Sequence, residues 1–137
     1  MKHSTITVQA TINAAADKVW DYYNNPIHIV HWNFADPSWH CPSAENNMTI
    51  GGTYKARMEA RDGSFGFDFE VVYSEIIVGK QFSYGFGGRN VTVQLNDLGS
   101  QTEVLITFDP ENENPIELQR GGWQAILNNF KRYVENN

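Results

Sequence analysis

Apolar and polar residues alternate strictly at the start of the chain, over residues 5–12. A period of two residues is typical of a strand that buries one face and exposes the other. The buried face would carry Ile6, Val8, Ala10 and Ile12. We therefore predict that the first element is a half-buried strand.

Two short helices are predicted after this strand. Asn13 is a suitable N-cap for a helix that begins near Ala14. The inner face of this helix would carry Val19, Trp20 and Tyr23. Asn24-Asn25-Pro26 ends it, because the residue before a proline disfavours helical backbone, and a second helix is predicted from Pro26 to about Trp32. Its inward residues would be Ile27, Val30 and Trp32.

Residues 33–52 have the composition of a long loop, since two prolines, Gly51-Gly52 and several Asn and Ser residues interrupt them. Long loops in small domains are often lids or rims of functional sites. Two interpretations of the segment from Trp32 to Trp39 remain open. It covers the mouth of a cavity as a lid, or its two tryptophans plug one end of the core.

Beyond Thr53 the alternation predicts strands joined by tight turns. Asp62-Gly63 is a favoured two-residue turn that would pair Arg61 with Ser64. This register joins apolar residues on one face, in the pairs Met58–Phe67, Ala56–Phe69 and Tyr54–Val71. On the other face it joins opposite charges, in the pairs Arg57–Asp68 and Lys55–Glu70. A shift by one residue would disrupt both faces.

Two further turns also match apolar residues with apolar residues. The first is predicted at Gly87-Gly88, and it would form the pairs Phe82–Val93 and Tyr84–Val91. The second is a loop from Leu98 to Gln101, and it would form the pairs Leu95–Val104 and Val93–Ile106. The region after Thr53 is therefore predicted to contain five strands.

The last element is predicted to be a long helix. Asn114 is placed to cap it, Pro115 suits its first position, and Glu117 suits the acidic position of a capping box. Its apolar stripe would consist of Trp123, Ile126, Leu127, Phe130 and Val134. Gly121-Gly122 costs such a helix about 2 kcal/mol relative to two alanines. Either this pair packs closely on the sheet or bends the helix near a cavity mouth, or the helix begins near Trp123.

The order of the elements predicts an α+β fold in one domain that spans residues 1–137. A curved six-stranded antiparallel sheet would wrap around the long C-terminal helix, with the two short helices after the first strand. A helix of about 20 residues is roughly 30 Å long, which is close to the length of the predicted strands. A lipocalin-like barrel is the alternative, but the early helices and the long last helix disfavour it.

Composition and charge narrow the range of partners. Ten Lys and Arg residues stand against 16 Asp and Glu residues, giving a net charge of −6, which argues against nucleic acid and against anionic membranes. The single cysteine excludes an intrachain disulfide. No apolar run could span a bilayer, and residues 1–5 do not begin a signal peptide. We expect a cytoplasmic protein.

Aromatic residues are abundant, with 4 Trp, 6 Tyr and 8 Phe. On the predicted inner face small side chains neighbour large ones, and the set comprises Ala10, Ala56, Ala60, Phe67, Phe69, Phe82, Tyr84 and Phe86. This mixture leaves a cavity or belongs to a filled core. Tyr54, Tyr73 and Tyr84 either orient a ligand in an apolar pocket or bond to backbone and water.

The groups that could carry catalysis or bind a metal are few. His28 and His31 are spaced to share a helical face, and His40-Cys41 could complete a zinc site with them. Adjacent ligands are unusual and no CxxC is present, so we expect rim or surface histidines and no metal. Cys41 would need a base within reach to act as a nucleophile. No serine elbow, phosphate-binding loop or dinucleotide fingerprint is present. We predict no catalytic residue and no cofactor.

Several short motifs occur in a characteristic order. They are Val19-Trp20, Pro26 with His31-Trp32, Gly51-Gly52-Thr53-Tyr54, Arg57-Met58, Asp62-Gly63, Thr102, Gly122-Trp123, Leu127 and Phe130-Lys131. In this order and spacing the chain resembles the helix-grip superfamily (START and Bet v 1-like proteins, SRPBCC). More narrowly, it resembles stand-alone proteins related to the C-terminal domain of the activator of Hsp90 ATPase.

This resemblance implies a cavity between sheet and helix that binds a small hydrophobic or amphipathic molecule. The ligand-binding residues would be Trp32, Trp39, Tyr54, Met58, Phe67, Phe69, Tyr84, Trp123 and Leu127. The protein would act as a monomer or a homodimer. A regulator of an Hsp90-type chaperone is the second hypothesis, and it rests on the resemblance alone. A cyclase- or hydrolase-type enzyme that uses the same cavity is the third, and it would need an inward-facing acid or base.

Overall fold

The computed structural model describes residues 5–137. The prediction that no signal peptide begins the chain falls largely on residues 1–4, which lie outside the described residues. The elements, in chain order, are β1 (Ile6–Ile12), α1 (Ala16–Asn24), α2 (Pro26–Trp32), β2 (Trp39–Asn46), β3 (Thr53–Ala60), β4 (Gly66–Ile77), β5 (Gln81–Phe86), β6 (Arg89–Asp97), β7 (Thr102–Phe108) and α3 (Ile116–Asn136).

The strands form one antiparallel sheet in the order β1-β7-β6-β5-β4-β3-β2. The sheet curls so that one edge contacts α3 and the other contacts α2. This arrangement confirms the predicted α+β helix-grip fold. Within residues 5–137, no helix is both long enough and apolar enough to cross a membrane.

The sheet has seven strands, and the prediction of six was wrong. The additional strand, β2, lies inside the region predicted to be a long loop. It is an edge strand, and its pairing with β3 shifts by one residue between His40 and Ser43, on either side of Pro42. Proline is tolerated at a sheet edge and at a bulge, where the missing N–H breaks no ladder bond. A composition typical of a loop is therefore compatible with this strand.

The predicted strand registers are confirmed. Met58 lies opposite Phe67 and Arg57 opposite Asp68 in the β3–β4 pair, and Tyr84 lies opposite Val91 in the β5–β6 pair. The β6–β7 pair places Leu95 opposite Val104, as predicted. The first turn is wider than predicted, because β3 ends at Ala60 and β4 begins at Gly66.

The helix α1 differs from the prediction at its start. It begins at Ala16, and Ala15 occupies the cap position without a side-chain hydrogen bond. Asn13 lies two residues before the cap position, and its backbone N–H donates to Glu135 Oε2 at 2.8 Å. The predicted break between the two short helices is confirmed, since α1 ends at Asn24 and α2 begins at Pro26. Asn25 caps α2 by accepting a hydrogen bond from the N–H of Ile27.

The inward face of α2 also differs. Ile29 and Trp32 are buried, whereas Ile27 is 72% exposed. Consecutive helical residues are about 100° apart around the axis. Ile27 and Ile29 therefore point in nearly opposite directions, and burial of Ile29 leaves Ile27 in solvent.

The helix α3 is continuous through Gly121-Gly122 and does not begin at Trp123. A Cβ atom added at either glycine would meet nothing within 4 Å, so the pair does not pack closely on the sheet. Asn114 is not the cap that the sequence predicted. Pro115 occupies that position without a side-chain hydrogen bond, and the Asn114 side-chain amide donates to Glu111 instead.

Side chains of α3 cover the free edge of β1. Gln124 both accepts from the N–H of Gln9 and donates to its carbonyl oxygen. Lys131 Nζ donates to the carbonyl oxygen of Thr11 at 2.6 Å. These bonds use backbone groups that an exposed sheet edge would leave without partners. They also hold α3 parallel to β1, at one side of the curled sheet.

Candidate functional site

A cavity of about 210 Å³ lies between the inner face of the sheet and α3. Its wall is apolar and rich in aromatic rings, and it takes residues from both short helices, from the strands and from α3. The residues of the wall are Tyr23, Asn24, Trp32, Asn33, Asn46, Tyr54, Met58, Phe67, Phe69, Tyr73, Phe82, Tyr84, Ile106, Trp123, Ile126 and Leu127. The inner face is therefore not completely filled by its own side chains.

Eight of the nine predicted ligand-binding residues lie in this wall: Trp32, Tyr54, Met58, Phe67, Phe69, Tyr84, Trp123 and Leu127. Trp39 is outside it, at the start of β2, where its ring packs 6.2 Å from that of Phe67 and 6.0 Å from that of Phe65. Trp32 is buried in the core, and its indole N–H donates to the carbonyl oxygen of Tyr22 at 2.9 Å. Contact of these residues with a ligand stays a prediction.

Three tyrosines form a row across the wall. Tyr54 is on β3, Tyr73 on β4 and Tyr84 on β5, and these strands are neighbours in the sheet. The ring of Tyr84 lies 6.4 Å from that of Tyr54 and 6.2 Å from that of Tyr73. Tyr23 joins the wall from α1 and packs on Phe130. Four hydroxyl groups thus belong to one cavity.

Three asparagines in the wall were not predicted from the sequence. Asn33 Nδ2 donates to the Tyr54 hydroxyl at 3.1 Å, and Asn46 Oδ1 accepts from the Tyr73 hydroxyl at 2.8 Å. Asn46 in turn donates to the carbonyl oxygen of Asn24. Asn33 and Asn46 fall in the region predicted to be a loop, where asparagine is common and gives no signal of burial. The tyrosines themselves indicated only that buried hydroxyls would find some hydrogen-bond partner.

Burial makes the wall tyrosines weak acids. Desolvation raises the pKa of Tyr73 to about 12, despite the hydrogen bond to Asn46. The pKa values of Tyr54 and Tyr84 are well above the ordinary value, first because both are buried and then because other tyrosines lie near them. These hydroxyls therefore stay neutral at pH 7.

Phe67 is the most exposed residue of the cavity wall. Its side chain belongs to the wall and is also 43% exposed. The ring of Trp123, also in the wall, stacks on that of Phe108 at 4.2 Å. The ring of Phe67 itself lies in a cluster, 6.2 Å from that of Trp39 and 6.0 Å from that of Phe65.

The residues considered for a metal site do not gather at the cavity. His28 accepts or donates a hydrogen bond with the Tyr133 hydroxyl at 2.8 Å, and the ring of His31 stacks on that of Tyr133. His40 faces Glu59 on the outer surface. Within residues 5–137 there is no group of three or more His, Cys, Asp or Glu side chains that could hold a metal ion.

The wall is suited to binding a neutral molecule. Among the described residues it contains no carboxylate, imidazole or amine, and its polar groups are tyrosine hydroxyls, asparagine amides and the indole N–H groups of Trp32 and Trp123. Such groups donate and accept hydrogen bonds without adding charge. The apolar rings supply the contact area.

A curled antiparallel sheet around a long C-terminal helix, with an apolar cavity between them, defines a helix-grip protein. The sequence specifies which branch of that superfamily is present, since residues 13–135 match the profile of the Activator of Hsp90 ATPase homolog 1-like proteins. The chain belongs to this family. The resemblance seen in the short sequence motifs is thereby confirmed.

Solved structures agree with this assignment. An AHSA1-like protein from Aeromonas hydrophila is 36% identical, with a TM-score of 0.91 over 97% of this chain and 93% of that protein. A protein from Cytophaga hutchinsonii is 48% identical, with a TM-score of 0.83 over the same shares. A protein from Chromobacterium violaceum, at 23% identity and a TM-score of 0.85, shares the fold over 98% of this chain and 100% of its own. A search of curated proteins found no significant match.

Proposed function

We propose that this protein binds a small hydrophobic or amphipathic molecule in the cavity between the sheet and α3. The observation that carries the proposal is the aromatic cavity of about 210 Å³, whose wall includes eight of the nine residues predicted from the sequence. Concave apolar sites with a few placed polar groups are the usual form of small-molecule sites. Membership of a helix-grip family supports the same function.

The size of the cavity limits which molecule it can enclose. An apolar cavity of roughly 150 Å³ binds benzene, so about 210 Å³ suits a ring compound of about nine non-hydrogen atoms. A steroid or a long fatty acid would need a rearrangement of the wall. We therefore choose α-methylstyrene, naphthalene and acetophenone as neutral probes.

Ligand binding to the folded state must raise its stability. A probe present at about ten times its Kd adds about 1.4 kcal/mol, which raises the melting temperature by about 4 °C. We expect at least one of the three probes to give such a shift. If none of them changes either the melting temperature or the NMR spectrum, the proposed function is contradicted.

A matched pair of variants locates the binding. Ile126 lies in the cavity wall, and Ile126→Trp adds volume there. Ile27 is exposed on α2, so Ile27→Trp makes the same substitution outside the cavity. We expect the first variant to lose probe binding and the second to retain it. Because overpacking costs about 1–3 kcal/mol, Leu127→Phe serves as a milder substitution if Ile126→Trp does not fold.

The family assignment favours a second candidate, in which the protein stimulates an Hsp90-type ATPase. This activity would use an exterior surface, so Ile126→Trp would leave it unchanged. The test is the steady-state ATPase rate of such a chaperone with this protein in excess. An unchanged rate would exclude the candidate and leave the cavity proposal intact.

A further inference from the structure

The hydroxyls of the wall differ in whether their protons are already used. The Tyr73 hydroxyl donates to Asn46 Oδ1 at 2.8 Å, so its proton is engaged. The Tyr54 oxygen accepts from Asn33 Nδ2 at 3.1 Å, which leaves its proton without an acceptor in the described residues. The Tyr84 hydroxyl forms no hydrogen bond with any residue between 5 and 137. The Tyr23 hydroxyl, on α1, likewise forms no hydrogen bond within residues 5–137. Three donors therefore remain available, and two of them, Tyr54 and Tyr84, lie on the sheet.

These two donors belong to side chains that are almost completely buried. Tyr54 is 8% exposed and Tyr84 is 4% exposed. In the described part of the chain, every side-chain nitrogen or oxygen that is fully shielded has a hydrogen-bond partner. The Tyr84 oxygen must therefore reach accessible space, and for a wall residue with so little exposure that space is the cavity.

We infer that the ligand is an uncharged ring compound whose carbonyl-type oxygen accepts hydrogen bonds from Tyr54 and Tyr84. This inference rests on the proposed function and specifies its ligand. A phenolic O–H donates strongly, whereas its oxygen is a weaker acceptor because a lone pair is delocalised into the ring. An acceptor on the ligand gives these buried donors the partners that the described residues do not supply.

That the ligand is uncharged follows from the composition of the cavity wall. No described wall residue is a lysine, arginine or histidine, so a carboxylate would be buried without a counter-charge, which is costly. No described wall residue is an aspartate or glutamate either, so a cation would find only ring faces. The neutral hydroxyls and the apolar rings together suit an oxygen-bearing neutral molecule.

The test uses two probes of the same size and shape. Acetophenone carries a carbonyl oxygen where α-methylstyrene carries a methylene group. The ratio of their Kd values is measured by calorimetry or NMR in the wild-type protein, in Tyr54→Phe and in Tyr84→Phe. Comparing ratios between proteins cancels the different hydration of the two free probes. We expect each substitution to reduce the preference for acetophenone about fivefold, the effect of losing one hydrogen bond.

Tyr22→Phe is the matched control, because Tyr22 is outside the cavity wall and its hydroxyl donates to the carbonyl oxygen of Asn137. This variant should keep the wild-type ratio. If the ratio is the same in all four proteins while both probes bind, the acceptor inference is overturned and the proposed function stands. If neither probe nor naphthalene binds, the proposed function itself fails.

Charged probes of similar size test the inference that the ligand is uncharged. Benzoate replaces the methyl ketone with a carboxylate, and phenyltrimethylammonium carries a fixed positive charge. We expect both to bind at least tenfold more weakly than acetophenone at pH 7. Binding of benzoate as tight as that of acetophenone would overturn the assignment of a neutral ligand, and tight binding of phenyltrimethylammonium would identify the cavity as a cation-binding aromatic cage.

Discussion

Cys41 shows how burial controls the chemistry of a single residue. Its side chain is 3% exposed, and the thiol donates to the carbonyl oxygen of Ser43 at 3.4 Å. Desolvation raises the pKa of this thiol to about 11. Because the thiolate is the nucleophile, Cys41 is an apolar core residue at neutral pH rather than a reactive group.

The reactivity of Cys41 should therefore depend on unfolding. At pH 8 a disulfide reagent is expected to modify the folded protein at least a hundredfold more slowly than the protein unfolded in urea. The protein has one cysteine, so the absorbance of the released thiol reports this residue alone. Equal rates in the folded and unfolded protein would show that Cys41 is accessible.

At the scale of the element, α3 contains a glycine that lowers its stability. Gly121 is exposed within the helix, and a Cβ atom there would meet nothing within 4 Å. Glycine destabilises a helix interior because it loses more backbone freedom on folding than alanine does. Nothing in the packing of α3 requires a glycine at this position.

Gly121→Ala should stabilise the protein. The expected gain in the free energy of unfolding is about 1 kcal/mol, measured from the urea denaturation midpoint. Gly52→Ala is the opposite control, because its Cβ atom would lie 2.2 Å from the carbonyl oxygen of Asn47. A loss of stability in Gly121→Ala would mean that the glycine meets a requirement other than packing.

The elements also show which parts of the fold can be predicted from sequence patterns. The hairpin registers were predictable because a turn dipeptide and two matched faces specify the same alignment, as in the Arg57–Asp68 and Met58–Phe67 pairs. The strand β2 was not predictable because it forms only by pairing with β3, and Pro42 is a residue typical of loops. The cap of α1 was predicted wrongly because the helix begins at Ala16, two residues later than its pattern indicated.

At the scale of the whole molecule, the tyrosine row couples stability to alkaline pH. The pKa values of Tyr54, Tyr73 and Tyr84 are all raised by burial. In the unfolded chain these groups would release their protons near the ordinary value of 10.0. Between that pH and about 12 the folded state holds more protons than the unfolded state, so the free energy of unfolding falls as the pH rises.

We expect stability to decrease gently from about pH 9, where the Cys41 thiol of the unfolded chain ionises, and steeply above pH 10, where the three tyrosines do. Urea denaturation at a series of pH values measures the decrease, and phenolate absorbance shows that the buried tyrosines ionise only as the protein unfolds. Tyr84→Phe should decrease less steeply, because it removes one of the titrating groups. Ionisation of all six tyrosines near pH 10 in a folded protein would contradict this account.

The sequence by itself determined the α+β class, the hairpin registers, the apolar stripe of α3 and half of the cavity wall. These features depend on periodicity and on turn chemistry, which act over a few residues. The family was also accessible, because its motifs occur in a specific order along the chain. Five of the predicted wall residues lie on strands, and they were predictable because a side chain on the inner face of a curved sheet must point toward the covering helix. Trp32, Trp123 and Leu127 were predictable from the apolar faces of α2 and α3.

Only the tertiary structure decided that the cavity is open, how large it is and which polar groups reach it. Cavity volume is a small difference between the space enclosed by the elements and the volume of their side chains, and no local pattern records it. The distinction between Tyr73, whose proton is engaged by Asn46, and Tyr84, whose proton is available, arises from residues far apart in the chain. Ligand preference is therefore a property of the assembled fold.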